Sequence, residues 1–231
     1  MSAEYPSRAT EWQGSGGASG IAFHLAPWTT LLAVATLVVH FQPIVTESVG
    51  APALLEYERA AVVSGQWWRL ATGHLLHWSF GHLLLDLSAV VIIGGVLERM
   101  VRERYPTLLL GIAGTIGVSL CVFQPDVLVY RGLSGVASGL FAALLVMGLR
   151  RLKRFDEWGA MLMIVALFFL TKIGYEGLTG ELFLATGTVG DIGDPVTLAH
   201  VSGALAGAVF ASVIALPIGE SPQRIDQRAV S

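Results

Sequence analysis

Seven ionisable side chains stand where an apolar chain should not tolerate them. His40, His82, Asp86, Lys172 and His200 lie inside long apolar runs, and His74 and His77 sit just before the run that holds His82. Burying such groups in hydrocarbon is costly, so each calls for a partner or a task. Ser134 stands out by its setting, Arg131-Gly132-Leu133-Ser134-Gly135. Glycine on both sides permits a tight loop-to-helix passage and lets another backbone come close. A serine paired with a histidine is the smallest activated nucleophile: the imidazole takes the hydroxyl proton and returns it to a leaving amine. At a helix start, Ser134 also has free backbone N–H groups nearby that can hold an oxyanion.

The elements that must position these residues follow from composition. The 231 residues are 54% hydrophobic and 13% charged, with a mean hydropathy of +0.66. Soluble domains carry about 25% charged residues. A soluble enzyme and a disordered chain are therefore disfavoured, and the chain reads as an all-α integral membrane protein. Net charge is −3, so no basic stripe awaits phosphates and no nucleic-acid partner is expected. The single cysteine, Cys121, rules out an intrachain disulfide.

Apolar runs at 27–46, 81–97, 107–123, 134–149, 158–175 and 197–218 are long enough to cross a core of about 30 Å as helices. They predict six transmembrane helices in one domain, 26–218, with a long first loop at 47–80. Residues 1–25, rich in Gly, Ser and Ala, are expected to form a mobile tail rather than a secretory signal. Residues 219–231 form a short carboxy-terminal tail. With both termini cytoplasmic, ten Lys and Arg fall inside and four outside, as the positive-inside rule favours.

In that topology the second, fourth and sixth helices all run inward. His82, Ser134 and His200 lie in their first turns, roughly 24–27 Å above the inner ends. Two imidazoles and a hydroxyl thus share one depth near the outer face. Gly135 and Gly139, and Gly203 and Gly207, give both helices small-xxx-small faces that allow Ser134 and His200 to meet.

These residues resemble the rhomboid family of intramembrane serine proteases. Trp68-Arg69, then His77, His82 and Asp86, is similar to the family's Trp-Arg motif and its second-helix His-x-x-x-Asn element. Gly132-Leu133-Ser134-Gly135 is similar to the Gly-x-Ser-Gly around the nucleophile. Ala199-His200-Val201-Ser202-Gly203 with Gly207 is similar to the sixth-helix element. The resemblance implies a rhomboid-like six-helix bundle that cuts transmembrane segments near the outer face. Ser134 would be the nucleophile and His200 the base, a dyad with no third member. His82, Asp86, Gly132, Gly135 and the Ser134 N–H would serve the oxyanion. Helix five and the loop 177–195 would gate the site.

Two positions depart from the family pattern. Asp86 stands where the family has an asparagine donor, and the chain contains no asparagine at all. Either a neutral carboxyl donates there, or Asp86 lies out of contact. Ser138 replaces an aromatic that packs on the catalytic histidine. The Arg-Gly-Leu-Ser-Gly-Val run looks most like the bacterial rhombosortase branch, associated with removing carboxy-terminal sorting tails.

Plainer readings compete. Ser134 alone is a helix-cap serine, and matched depth with two histidines favours function. His74 and His77 brace the loop, His40 is structural, Lys172 snorkels outward, and Cys121 packs in the core. A non-catalytic binder of transmembrane helices is the alternative to the enzyme. No metal or other cofactor is expected, since the His-rich stretch lacks a His-Glu-x-x-His pair. The expected partners are the bilayer and transmembrane-helix substrates, in a bacterial inner membrane.

Overall fold

Each of the six apolar runs forms one long helix. They are α1 (Pro27–Thr46), α2 (Phe80–Val101), α3 (Tyr105–Phe123), α4 (Ser134–Arg151), α5 (Glu157–Thr179) and α6 (Thr197–Ile214). The computed structural model describes residues 26–46, 50–152, 157–180 and 196–214. Both tails, the last residues of the run ending at 218, and most of the loop 177–195 lie outside the described residues.

α2 is longer than its apolar run at both ends, for local reasons. Ser79 is extended, and its Oγ accepts the His82 N–H at 3.2 Å, a capping bond that sets the first turn. At the other end the helix continues through Glu98 to Val101 and stops at Arg102, whose φ is +48°. Glu98 is polar yet buried, because its carboxylate caps α1. It accepts the N–H of Trp28 at 2.9 Å, the N–H of Thr29 at 2.8 Å and the Thr29 hydroxyl at 2.7 Å. A carboxylate on the unpaired N–H groups of a helix start is favoured by their partial positive charge.

α3 forms the centre. Leu108, Ile112, Ile116 and Leu120, spaced by four, are fully buried and meet α4 and α6. The α4–α6 contact is made backbone to backbone. A Cβ on Gly135 would stand 2.9 Å from the Ala199 carbonyl, and one on Gly139 would stand 2.7 Å from the Gly203 carbonyl. Cβ atoms on Gly203 and Gly207 would overlap the Gly135 and Gly139 carbonyls. The expected small-residue faces therefore do meet. Facing away from this core, Leu84, Leu85, Ile92, Leu110, Val122, Leu167, Leu170, Leu205 and Val209 are exposed, as side chains in lipid would be. Phe80–Phe123, Ser134–Arg151 and Gly159–Thr179 are long and apolar enough to cross a membrane, and Thr197–Val213 is a shorter apolar helix.

From residue 50 onward the first loop is structured. It holds short helices at Gly50–Leu55, Arg59–Val63 and Arg69–Thr72, and a 3-10 turn at Gly73–Leu75. Strand β1 (Tyr57–Glu58) pairs antiparallel with β2 (Val129–Tyr130), Tyr57 opposite Tyr130. Arg69 is buried and binds the loop together, donating to the Glu56 carbonyl at 2.8 Å, the Ala53 carbonyl at 2.7 Å and Gln66 Oε1 at 2.8 Å. Arg131 pairs with Glu56 at 2.6 Å and lies over the Trp78 ring. The strand pairing and the Arg131 contacts tie this loop to the segment that carries Ser134.

Candidate active site

Ser134 is the first residue of α4, and the turn before it is made by Gly132, whose φ of +130° excludes most side chains. The Gly132 carbonyl accepts the Tyr130 hydroxyl at 3.1 Å and lies 3.2 Å from His74 Nδ1. Burial pushes the Tyr130 phenol far above its ordinary value, so it stays protonated and donates. Burial also pushes the His74 imidazole down, so the ring is neutral. It therefore donates to one of its two carbonyl neighbours, Gly132 or Ala113 (3.2 Å), at a time. The expected bracing role of His74 matches this placement.

His200, in the first turn of α6, is buried, and its Nε2 lies 3.0 Å from Ser134 Oγ. The close α4–α6 packing sets this distance. On the other side of the ring, His200 Nδ1 lies 2.8 Å from Glu176 Oε2. Glu176 is fully buried, and Lys172 Nζ reaches both its oxygens at 2.7 and 2.8 Å. The expectation that His200 lacks a third member is therefore corrected. So is the expectation that Lys172 only snorkels outward: its ammonium is held by the carboxylate one turn on. Glu176 escaped notice because the apolar run closes at residue 175, one position earlier. The i, i+4 spacing of Lys172 and Glu176 at the end of an apolar helix was the available signal.

Asp86 is not out of contact. Its Oδ2 accepts the Leu133 N–H at 2.8 Å, with His82 Nε2 3.2 Å and His77 Nε2 3.3 Å from the same oxygen. The carboxylate therefore accepts from the loop before the nucleophile; it does not reach in as a donor. His82 and Asp86 press on Gly132, where a Cβ would lie 3.0 Å from His82 Nε2 and 3.3 Å from Asp86 Oδ2. His77, His82 and Asp86 are the group among the described residues whose ligand atoms, within 4.8 Å of one another, suit a metal ion. Asp86 Oδ2 already carries the Leu133 bond.

Gly135 meets Ala199 and is part of the helix contact. Ser138 is buried in α4; the bond that holds the His200 ring comes from Glu176 on α5. Among the features the sequence left unread, Tyr130 has only a signal of position, four residues before Ser134.

A hydroxyl, an imidazole and a carboxylate in line, at the end of a bundle of apolar helices, define a serine-hydrolase-like site in a membrane fold. Residues 64–217 match the rhomboid domain, and the chain belongs to the rhomboid family. YdcA of Bacillus subtilis (strain 168), named for the rhomboid proteases, is 33% identical over 115 residues, which cover 49% of this chain and 58% of YdcA. Rhomboid protease GluP of the same organism is 27% identical over 161 residues, 69% of this chain and 28% of GluP. The chain thus spans less than two thirds of either relative.

Proposed function

We propose that this chain is an intramembrane serine peptidase that cuts transmembrane segments of other proteins near the outer membrane face. The observation that carries the reading is the 3.0 Å approach of His200 Nε2 to Ser134 Oγ. In this reading residues 26–218 form one six-span domain with both termini cytoplasmic, in a bacterial inner membrane.

The chemistry proceeds in two halves. His200 Nε2 takes the Ser134 proton as Oγ attacks the scissile carbonyl, whose C=O electrons move onto oxygen. The first-turn N–H groups of α4, which have no partner within the helix, receive that oxyanion, with a ring N–H of His82 beside Gly132. Collapse breaks the C–N bond, and the amine leaves with the proton from His200. Water then attacks the acyl-enzyme, giving a proton to His200; the acyl C–Oγ bond breaks, Ser134 Oγ takes that proton back from His200, and the new carboxyl terminus departs. Asp86 does not oppose the oxyanion freely, because its Oδ2 is engaged by the Leu133 N–H.

A substrate helix must unwind to be cut, since its own hydrogen bonds shield each carbonyl in lipid. Small or helix-breaking residues near the outer face are therefore expected in substrates. The narrower reading is removal of carboxy-terminal sorting tails, supported by the Arg131–Val136 run. The test is cleavage in proteoliposomes of two single-span substrates, one with helix-breaking residues near the outer face and one ending in a Gly-Gly signal, apolar helix and basic tail. Products mapped by mass to the outer face, absent with Ser134→Ala, support the reading. Cleavage of only the first substrate removes the sorting-tail reading. Binding of both without any cleavage makes the chain a non-catalytic helix binder.

A further inference from the structure

We propose that Glu176 is a positioning residue for His200 and that Lys172 holds it in place, so that the reacting group is a line of four side chains rather than a pair. This rests on the peptidase reading of Ser134 and His200 and extends it to α5.

The geometry is specific. A carboxylate only accepts, so the 2.8 Å contact places the ring proton on His200 Nδ1. The lone pair is then on Nε2, facing the Ser134 hydroxyl at 3.0 Å. That is the tautomer a general base needs. Once His200 has taken the serine proton, the same carboxylate faces an imidazolium and stabilises it. Glu176 itself takes no proton.

Burial argues for a task. Glu176 has a side-chain exposure of 0%, in a helix whose neighbouring turns, with Leu167, Phe168 and Leu170, are apolar and exposed. A buried ion pair is weak evidence for stability, because removing two charges from water offsets their attraction. Its second partner explains how it is retained. Lys172, 29% exposed, binds both Glu176 oxygens from one turn earlier, leaving Oε2 shared with His200. The backbone of the same turn is fixed as well: Thr197 Oγ1, at the start of α6, donates to the Glu176 carbonyl at 3.0 Å. Seating α5 against α6 and orienting the base therefore depend on one turn of helix.

The other groups around His200 and Ser134 do not duplicate this role. Ser134 from α4 takes the Nε2 side. Beyond Ser134 stand Tyr130 on β2, whose hydroxyl donates to Gly132, and the cluster of His77, His82 and Asp86, which holds Leu133.

The test measures tautomer and pH profile together, on the full chain in detergent. In a Ser134→Ala background, nitrogen NMR of labelled histidine should show His200 protonated at Nδ1, and adding Glu176→Gln should lose that single tautomer. With the nucleophile present, Glu176→Gln should slow fluorophosphonate labelling roughly 100-fold or more. Its residual activity should have an acidic limb moved to lower pH, because a negative neighbour of the imidazolium is gone. Lys172→Met should move that limb to higher pH, since the cation opposing the imidazolium is gone. Opposite shifts are something a merely structural role would not produce. An unchanged tautomer and profile in Glu176→Gln, with labelling within about threefold, overturns the proposal. Where Glu176→Gln does not fold, an unmoved limb in Lys172→Met overturns it instead. The NMR measurement needs no turnover, so it decides the role of Glu176 even where the parent labels nothing and the peptidase reading fails.

Discussion

The Oδ2 of Asp86 on α2 accepts the backbone N–H of Leu133 at 2.8 Å, so this carboxylate holds the residue immediately before Ser134. The requirement at position 86 is thus an acceptor. Asp86→Asn keeps an acceptor oxygen and should retain labelling within about tenfold of the parent. Asp86→Ala leaves the buried Leu133 N–H unmatched, which costs about 1–3 kcal/mol, and should lose activity and melting temperature together. Labelling rates and thermal melts of the two variants check this. Equal losses in both would show that the charge, not the acceptor, matters.

The α4–α6 contact sets the distance between nucleophile and base. A Cβ at Gly207 would overlap the Gly139 carbonyl, whereas one at Gly95 on α2 meets nothing within 4 Å. Gly207→Ala should cost about 1–3 kcal/mol through overpacking and should lower labelling by separating α6 from α4. Gly95→Ala should be neutral or slightly stabilising, since alanine is the better helix former. Thermal melts of both, side by side, read the difference.

His74 gives the fold an acid sensitivity. Burial lowers its folded value below the 6.5 of the free side chain. A group depressed on folding contributes stability that is complete above the unfolded value and lost as pH falls below it. The parent's melting temperature should therefore drop as pH is lowered from 7.5 through 6.5 to 5. His74→Gln, which keeps a hydrogen bond but no titrating ring, should flatten that drop. A slope identical in both proteins would assign the sensitivity elsewhere.

Much of this architecture is legible in the residues, and what is not has a physical reason. The six helices follow from apolar length alone, and α1 begins and ends where its run does. The meeting of Ser134 and His200 follows from equal depth on helices with glycine faces. Hydropathy could not see Glu98 or Glu176, because each is buried by a specific partner: the unpaired N–H groups of α1 for one, His200 and Lys172 for the other. Both sit just beyond the end of an apolar run, where charge normally signals water. Asp86 was visible as an anomaly, but its partner is a backbone N–H across the bundle, and no side-chain pattern encodes that. The bracing of Gly132 by Tyr130 and His74 likewise depends on the pairing of two-residue strands, too short to read in advance.

The central claim is that Ser134 is an activated nucleophile and His200 its base. The most direct measurement is labelling of the detergent-purified protein by a fluorophosphonate probe, beside Ser134→Ala and His200→Ala, with an active rhomboid protease as positive control. The account predicts labelling of the parent and none of either variant, with all three proteins folded. Labelling that persists in Ser134→Ala, or an unlabelled parent beside a labelled control, would contradict it.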